Sequence, residues 1–145
     1  MTTKTEITAL NHTVTETDEW LKALADLGPF ENQQQAYSHF RAVLHALRDR
    51  LTVEEATHLA SELPMLVRGF YYEGWRPALA PNDQETQAEF MDKVRESLDG
   101  QMTSEDELRA AVKAVFQLLE NRIEEGQIRH VRAQLPEQIE ALWEG

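Results

Sequence analysis

The sequence contains no cysteine, and it has only five prolines and six glycines in 145 residues. The absence of cysteine excludes disulfide bonds, thiol nucleophiles and thiolate metal ligands. No apolar run approaches the roughly 20 residues that a membrane-spanning helix needs, and the polar first residues lack the apolar region of a secretory signal. We therefore expect a cytoplasmic protein that has no membrane as a partner.

Basic residues are also scarce. The chain has 14 lysines and arginines against 26 aspartates and glutamates, so its formal net charge is -12. Such a surface repels phosphate backbones rather than binding them, and we expect no nucleic-acid partner. A hydrophobic fraction of 41% over this length is typical of one folded domain, here residues 1–145.

Apolar side chains recur every three or four positions along most of the chain, and no segment shows the alternation of a strand. The pattern predicts an all-α fold, a single helical bundle of about eight helices. Trp20 begins an early apolar stripe and is expected to anchor the core. Sequence signals mark helix starts after Thr15, Asn32, Thr52 and Ser104, first turns at Pro64 and Pro136, and stops at Gly28, Gly74 and Gly100.

The chain also resembles itself. When it is shifted by 72 residues without a gap, seven positions between residues 42 and 64 are identical, where about one or two would match by chance. The matched positions are Ala42, Val43, Leu47, Arg50, His58, Leu63 and Pro64, which pair with Ala114, Val115, Leu119, Arg122, His130, Leu135 and Pro136. Repetition at this period indicates two related halves that cover each other's apolar faces, and predicts pseudo-twofold symmetry.

This alignment sets the predicted boundaries. Residues 15–76 form the first helical repeat and residues 83–144 the second. The linker is residues 77–82, where two prolines interrupt the helical period. Residues 1–14 are expected to be a flexible N-terminus that docks only through Ile7 and Leu10. Leu63 and Leu135 precede equivalent prolines and should both be buried.

Two stretches resemble a known family. They are RAVLHALRDRLTVEEATHLASELPMLVRGFYYEGWRP, from Arg41 to Pro77, and VRAQLPEQIEALW near the C-terminus. Together they are similar to a bacterial group known as domain-of-unknown-function family 2267, and the likeness extends from about Trp20 to Trp143. The resemblance implies an all-helical fold of two related halves. It implies no activity, cofactor or site residue.

The sequence does not predict an enzyme. It has no nucleophile elbow, phosphate-binding glycine loop or zinc-protease motif, and no set of residues meets the criteria for an active site. His45 and Asp49 lie one helical turn apart and are flanked by Arg48 and Arg50, but this acid-base cluster has low specificity. We interpret it as structural and expect no cofactor.

A weak metal candidate lies on the third helix. Glu54, His58 and Glu62 are four residues apart, a spacing that places two carboxylates and an imidazole on one helical face. Helical geometry puts His58 and its repeat equivalent His130 on the side opposite the apolar stripe, where both should be exposed to water. The favoured interpretation is a solvated helix face.

The aromatic block, RGFYYEGWR from Arg68 to Arg76, extends beyond what the second half can match. Aromatic and arginine side chains at this density are typical of interface hot spots and ligand pockets. Arg68, Tyr72, Trp75 and Arg76 are therefore the candidate interaction residues, with Trp75 partly exposed. The block also fits a short helix wedged between the halves, since Gly69 would allow close helix approach.

Two functions follow as hypotheses. The first is a non-enzymatic interaction module that binds an unknown protein partner or forms a homo-oligomer through the aromatic block. The second is a protein that binds a metal or a small molecule at the His58 face or in the groove between the repeats.

Overall fold

A computed structural model describes residues 4–98 and 104–144. Within them the chain forms eight α-helices, two short 3-10 helices and no strand, which confirms the predicted all-α fold. The helices are α1 (Thr8–Leu27), α2 (Gln33–Arg50), α3 (Val53–Ser61), α4 (Met65–Tyr72), α5 (Gln87–Ser97), α6 (Glu105–Arg122), α7 (Glu125–Gln134) and α8 (Glu137–Glu140). The 3-10 helices are Pro77–Leu79 and Ala141–Trp143.

Most of the predicted helix starts are confirmed by their hydrogen bonds. The Asn32 side chain accepts from the Gln35 backbone N–H at 2.9 Å, and Thr52 and Ser104 accept from the backbone N–H three residues later. Each cap satisfies an N–H that has no partner inside its helix. The complete capping box is at Thr86, before α5, where Glu89 also accepts from the Thr86 backbone.

The predicted start of the first helix is wrong. Helix α1 begins at Thr8, after Ile7, rather than after Thr15. Thr13 and Thr17 are buried, whereas Ile7 and Leu10 are exposed by 57% and 41% and do not dock. The segment forms a helix despite its threonines, because the face that carries Thr13 and Thr17 packs against the bundle. The predicted stop at Gly100 lies outside the described residues.

Helices α2 and α6 form the centre of the bundle and contact each other. Their inward side chains are completely covered, among them Phe40, Leu44, Val112 and Leu119. Trp20 is 5% exposed and packs near Phe40, with 6.3 Å between ring centroids. Trp20 is thus the core anchor that was predicted.

Helix boundaries recur at the same offset that the sequence shows. Helix α2 spans residues 33–50 and α6 spans residues 105–122, so both ends differ by 72. Helix α1 contacts both α2 and α6, and α5 contacts α2, so each outer helix packs on the central helix of the other predicted half. Leu63 and Leu135 are 3% and 8% exposed, so both are buried as predicted.

The contact between α3 and α7 pairs positions that the 72-residue shift of the sequence makes equivalent. Gln127 donates to the buried carboxylate of Glu55, its counterpart 72 residues earlier. Thr52 donates to the Gln134 side chain through its backbone N–H and its hydroxyl, each at 3.2 Å. Reciprocally, the Glu124 backbone N–H donates to Glu62 at 3.3 Å. Such mutual contacts are those expected across a twofold axis, and the duplication itself stays a prediction.

Candidate functional site

The aromatic block occupies α4 and the turn that follows it. Val67 and Tyr71 face the core and are completely buried, and the Tyr71 hydroxyl donates to the Ala56 carbonyl at 2.7 Å. Gly74 has a φ of +72°, a left-handed conformation that favours glycine. This turn ends the helix and folds Trp75 back toward Tyr72.

Two buried side chains of α2 hold the carboxyl end of α4. His45 Nε2 lies 2.6 Å from the Phe70 carbonyl and donates to it. Arg48 is 4% exposed and donates through Nη1 to the carbonyls of Tyr71 and Glu73, at 2.6 and 2.8 Å. The carbonyls in the last turn of a helix have no partner inside it, so these donors replace the missing hydrogen bonds.

The same contacts give the predicted acid-base cluster a structural role. Burial lowers the pKa of His45, the Phe70 carbonyl opposes that shift, and nearby Arg48 and Arg41 add to it. Asp49 accepts from Arg48 Nε at 2.9 Å. His45 is thus a neutral donor to the backbone, and the cluster serves to anchor α4.

The structure does not bring all four predicted interaction residues together. Arg68 lies apart from the others and donates to the Ala60 and Leu63 carbonyls, at 3.0 and 3.1 Å, at the end of α3. Tyr72 and Trp75 stack on each other, with ring centroids 5.5 Å apart. Trp75 is half-buried and Arg76 is exposed, so the predicted partial exposure of Trp75 is confirmed.

Trp75 and Arg76 line a cavity of about 220 Å³, which we call the Trp75 cavity. Its wall is completed by the end of α2, the 3-10 turn and α5, and its lining residues are Asp49, Gly74, Trp75, Arg76, Leu79, Ala80, Asn82 and Lys93. The Asn82 backbone N–H donates to the Asp49 carbonyl at 2.8 Å. The predicted linker is therefore fixed against α2.

The metal candidate is not assembled. His58 and His130 are both exposed, as predicted. Across residues 4–98 and 104–144, no group of three or more histidine, aspartate or glutamate side chains is placed to hold a metal ion. Glu62 accepts from the Glu124 backbone instead. Nothing in the geometry of this face distinguishes it from an ordinary solvated helix surface.

An apolar groove that the sequence interpretation missed lies between α1, α2 and α4. The α1–α4 groove has a volume of about 510 Å³ and is lined by Thr17, Leu21, Tyr37, Leu66, Gly69, Phe70 and Glu73. Leu66 is 46% exposed, and its backbone N–H donates to Thr13 Oγ1 at 2.9 Å. That bond joins the start of α4 to α1 and fixes the groove.

Gly69 has a different role from the predicted one. A β-carbon added at Gly69 would meet no atom within 4 Å, so this glycine does not permit close helix packing. It is exposed on the groove side of α4. The expectation that Gly69 brings two helices together is wrong.

The groove continues along α1 as an exposed apolar stripe. Ile7, Leu10 and Val14 are 57%, 41% and 55% exposed and share a face with Thr17 and Leu21, because the spacing alternates between three and four residues. Met65, 53% exposed, adds to the surface beside Leu66. The sequence shows this stripe when residues 8–14 are assigned to the helix.

The geometry thus defines an all-helical protein with an apolar groove and a separate small cavity of mixed lining. None of the helices in the two described ranges combines the length and hydropathy required to cross a bilayer. Residues 17–142 match the model of a family described as an uncharacterised conserved protein, DUF2267. The chain belongs to the DUF2267 family. A comparison with curated proteins finds no match.

Proposed function

We propose that this protein is a non-enzymatic interaction module whose α1–α4 groove binds an amphipathic helix with basic flanks, contributed by a partner protein. The observation that carries the proposal is the continuous apolar surface formed by the groove and the exposed stripe of α1. Most large apolar patches on folded proteins mark interaction sites. A groove between helices suits an apolar helix face with anchors every three or four residues.

Charge favours a basic partner over a second copy of the chain. Helix α1 carries four acidic residues, Glu16, Asp18, Glu19 and Asp26, and one basic residue, Lys22. The whole chain has a net charge of -12. Two copies meeting through α1 would bring like charges together, whereas a helix with lysine or arginine beside its apolar face would be attracted.

Fluorescence anisotropy tests this proposal with a synthetic helical peptide that has leucine on one face and lysine on the other. A peptide of the same composition in scrambled order is the control for general electrostatic attraction. We expect the amphipathic peptide to bind with saturation and the scrambled peptide to bind more weakly. Equal binding of the two peptides would contradict a shaped groove.

Matched variants locate the site. Val14→Asp and Leu66→Asp place a charge in the apolar surface and should each weaken binding about tenfold or more, as loss of an interface anchor does. Val53→Asp adds the same charge at a valine on α3 that is 42% exposed and should leave binding unchanged. Sedimentation that shows a dimer disrupted by Val14→Asp would instead assign the surface to self-association.

A further inference from the structure

We infer that the Trp75 cavity is a binding site for a small organic carboxylate with an apolar body. This site lies beyond the proposed docking groove, and the inference does not depend on it. The cavity lies where the end of the first predicted repeat, the linker and α5 meet. Its volume of about 220 Å³ is below the roughly 300–1,000 Å³ of pockets for drug-sized ligands, so the ligand is smaller than these.

The walls of the cavity are fixed by polar side chains that are buried, as Arg48 and Gln84 are, or half-buried, as Arg50 is. Arg48 holds the Tyr71 and Glu73 carbonyls just before Gly74. On the opposite side, Arg50 Nε donates to the Gln84 carbonyl at 2.7 Å, and the buried Gln84 side chain donates to the Ala46 carbonyl at 3.3 Å. Because these bonds join the loop to α2 at both ends, the site is formed before a ligand binds. Binding therefore loses little free energy to the ordering of the loop.

The charges in the lining favour an anion. Arg76 and Lys93 line the cavity, and neither side chain has an ion-pair or hydrogen-bond partner among residues 4–98 and 104–144. The one carboxylate in the wall, Asp49, is already paired with Arg48 at 2.9 Å. The guanidinium of arginine presents parallel donors that match the two oxygens of a carboxylate.

The remaining lining specifies an organic ligand. Trp75, Leu79 and Ala80 give the cavity an apolar side, and Leu79 is 62% exposed. The indole N–H of Trp75 is enclosed and has no acceptor in the described structure. Inorganic phosphate could pair with the two cations but would leave the apolar wall exposed. An aromatic or branched carboxylate would pair with the cations and also cover the apolar wall.

Nuclear magnetic resonance can test this site through the three indole N–H signals, one for each tryptophan, with Trp75→Phe to assign the relevant one. The probe is sodium benzoate, and benzamide is its neutral match of nearly the same shape. We expect benzoate to shift the Trp75 signal with saturation and to leave the Trp20 and Trp143 signals in place. Benzamide and inorganic phosphate at the same ionic strength should leave the Trp75 signal unchanged.

Two variants test the roles of the cations. Arg76→Gln and Lys93→Gln should each raise the apparent Kd for benzoate about tenfold, whereas Lys4→Gln, which removes an exposed charge outside the cavity, should not. The inference is overturned if benzoate leaves the Trp75 signal unmoved, if benzamide or phosphate shifts it as strongly, or if both cation variants bind as the parent does.

Discussion

At the residue scale, the two glycines of the aromatic block serve opposite purposes. Gly69 lies within α4, where glycine is about 1 kcal/mol less favourable than alanine, and open space surrounds the position of its β-carbon. Gly74 has the same open surroundings but a φ of +72°, which alanine adopts only with strain. The space around the β-carbon position is therefore the same at Gly69 and Gly74, and the two sites differ in backbone conformation.

This difference gives a prediction of opposite signs. Gly69→Ala should raise the free energy of unfolding by about 0.5 to 1 kcal/mol, because alanine favours the helix. Gly74→Ala should lower it by about 1 kcal/mol, because the turn requires positive φ. Urea denaturation of both variants measures the two effects. A loss of stability in Gly69→Ala would show that the residue does pack closely against a neighbour.

His45 makes stability depend on pH in a defined window. Burial lowers its pKa in the folded protein, whereas the unfolded chain keeps a value near 6.5. As the pH falls through that value the unfolded state takes up the proton first, so the free energy of unfolding should decrease below about pH 6.5. The decrease should stop once the pH is below the folded pKa.

The variant His45→Gln, whose amide can still donate to the Phe70 carbonyl, should flatten this dependence. The exposed His58→Gln should keep it. The window is measurable because the two carboxyls with shifted pKa values titrate lower. The pKa of Asp18 is lowered by its hydrogen bond from Gln33 and that of Glu89 by backbone donors, and both carboxyls ordinarily titrate near pH 4. Urea melts between pH 5 and 7.5 provide the comparison, and identical curves for the parent and His45→Gln would exclude His45 as the cause.

At the scale of elements, helical periodicity and capping residues were sufficient to predict most helices. Asn32, Thr52 and Ser104 each cap a helix by accepting from the backbone N–H three residues later. These bonds are local, so a short stretch of sequence is enough to predict them. The start of α1 was not predictable in this way, because nothing local distinguishes Thr8 from Thr15 as a start. Helix α1 extends to Thr8 because Thr13 reaches the Leu66 backbone, 53 residues away.

The candidate sites were predicted less well for the same reason. A dense group of aromatic residues drew attention to the aromatic block, yet the block is held by His45 and Arg48, which the sequence presents as an acid-base cluster. The groove depends on which face of α1 remains uncovered by α2, α4 and α6. Periodicity identifies an apolar face but does not show how much of it another helix covers.

The two Leu-Pro junctions predict equivalent stability effects in the two predicted repeats. Leu63 and Leu135 are buried, and each precedes the proline that stands directly before α4 or α8. Leu63→Ala and Leu135→Ala should each cost about 2 to 5 kcal/mol, because each leaves a cavity in the core. Leu79→Ala is the control, since this leucine is 62% exposed. Near-neutral urea melts for both core variants would show that the predicted repeat does not describe the core.

At the scale of the whole molecule, contacts between outer and central helices join the two predicted halves into one unit. Helix α1 packs on α6 as well as on α2, and α5 packs on α2, so separating the two predicted halves would uncover part of each central helix. Two chains of about 70 residues would also each be marginally stable for their size.

We therefore predict that fragments 1–82 and 83–145 are largely unfolded when separate and regain helical structure when mixed in equal amounts. Circular dichroism at 222 nm measures this directly, with the intact chain as the reference. A fragment with Leu119→Asp, which places a charge at a completely buried position in the last turn of α6, should fail to restore the signal. A half that is fully helical alone would show that the contacts of α1 with α6 and of α5 with α2 are not needed for folding.

The contact between α1 and α6 also has a consequence for how the chain folds as it is made. Most helical bundles fold quickly because neighbouring helices along the chain form most of the contacts. Here α1 can pack on α2 and α4 early, but its contact with α6, whose first residue lies 78 positions after Leu27, must wait. Until then the apolar faces of α1 and α2 are only partly covered. Since translation adds roughly 5 to 20 residues per second, that interval lasts several seconds. Early chains should therefore be the form that aggregates or recruits chaperones, and slowing translation after Arg50 should lower the yield of folded protein.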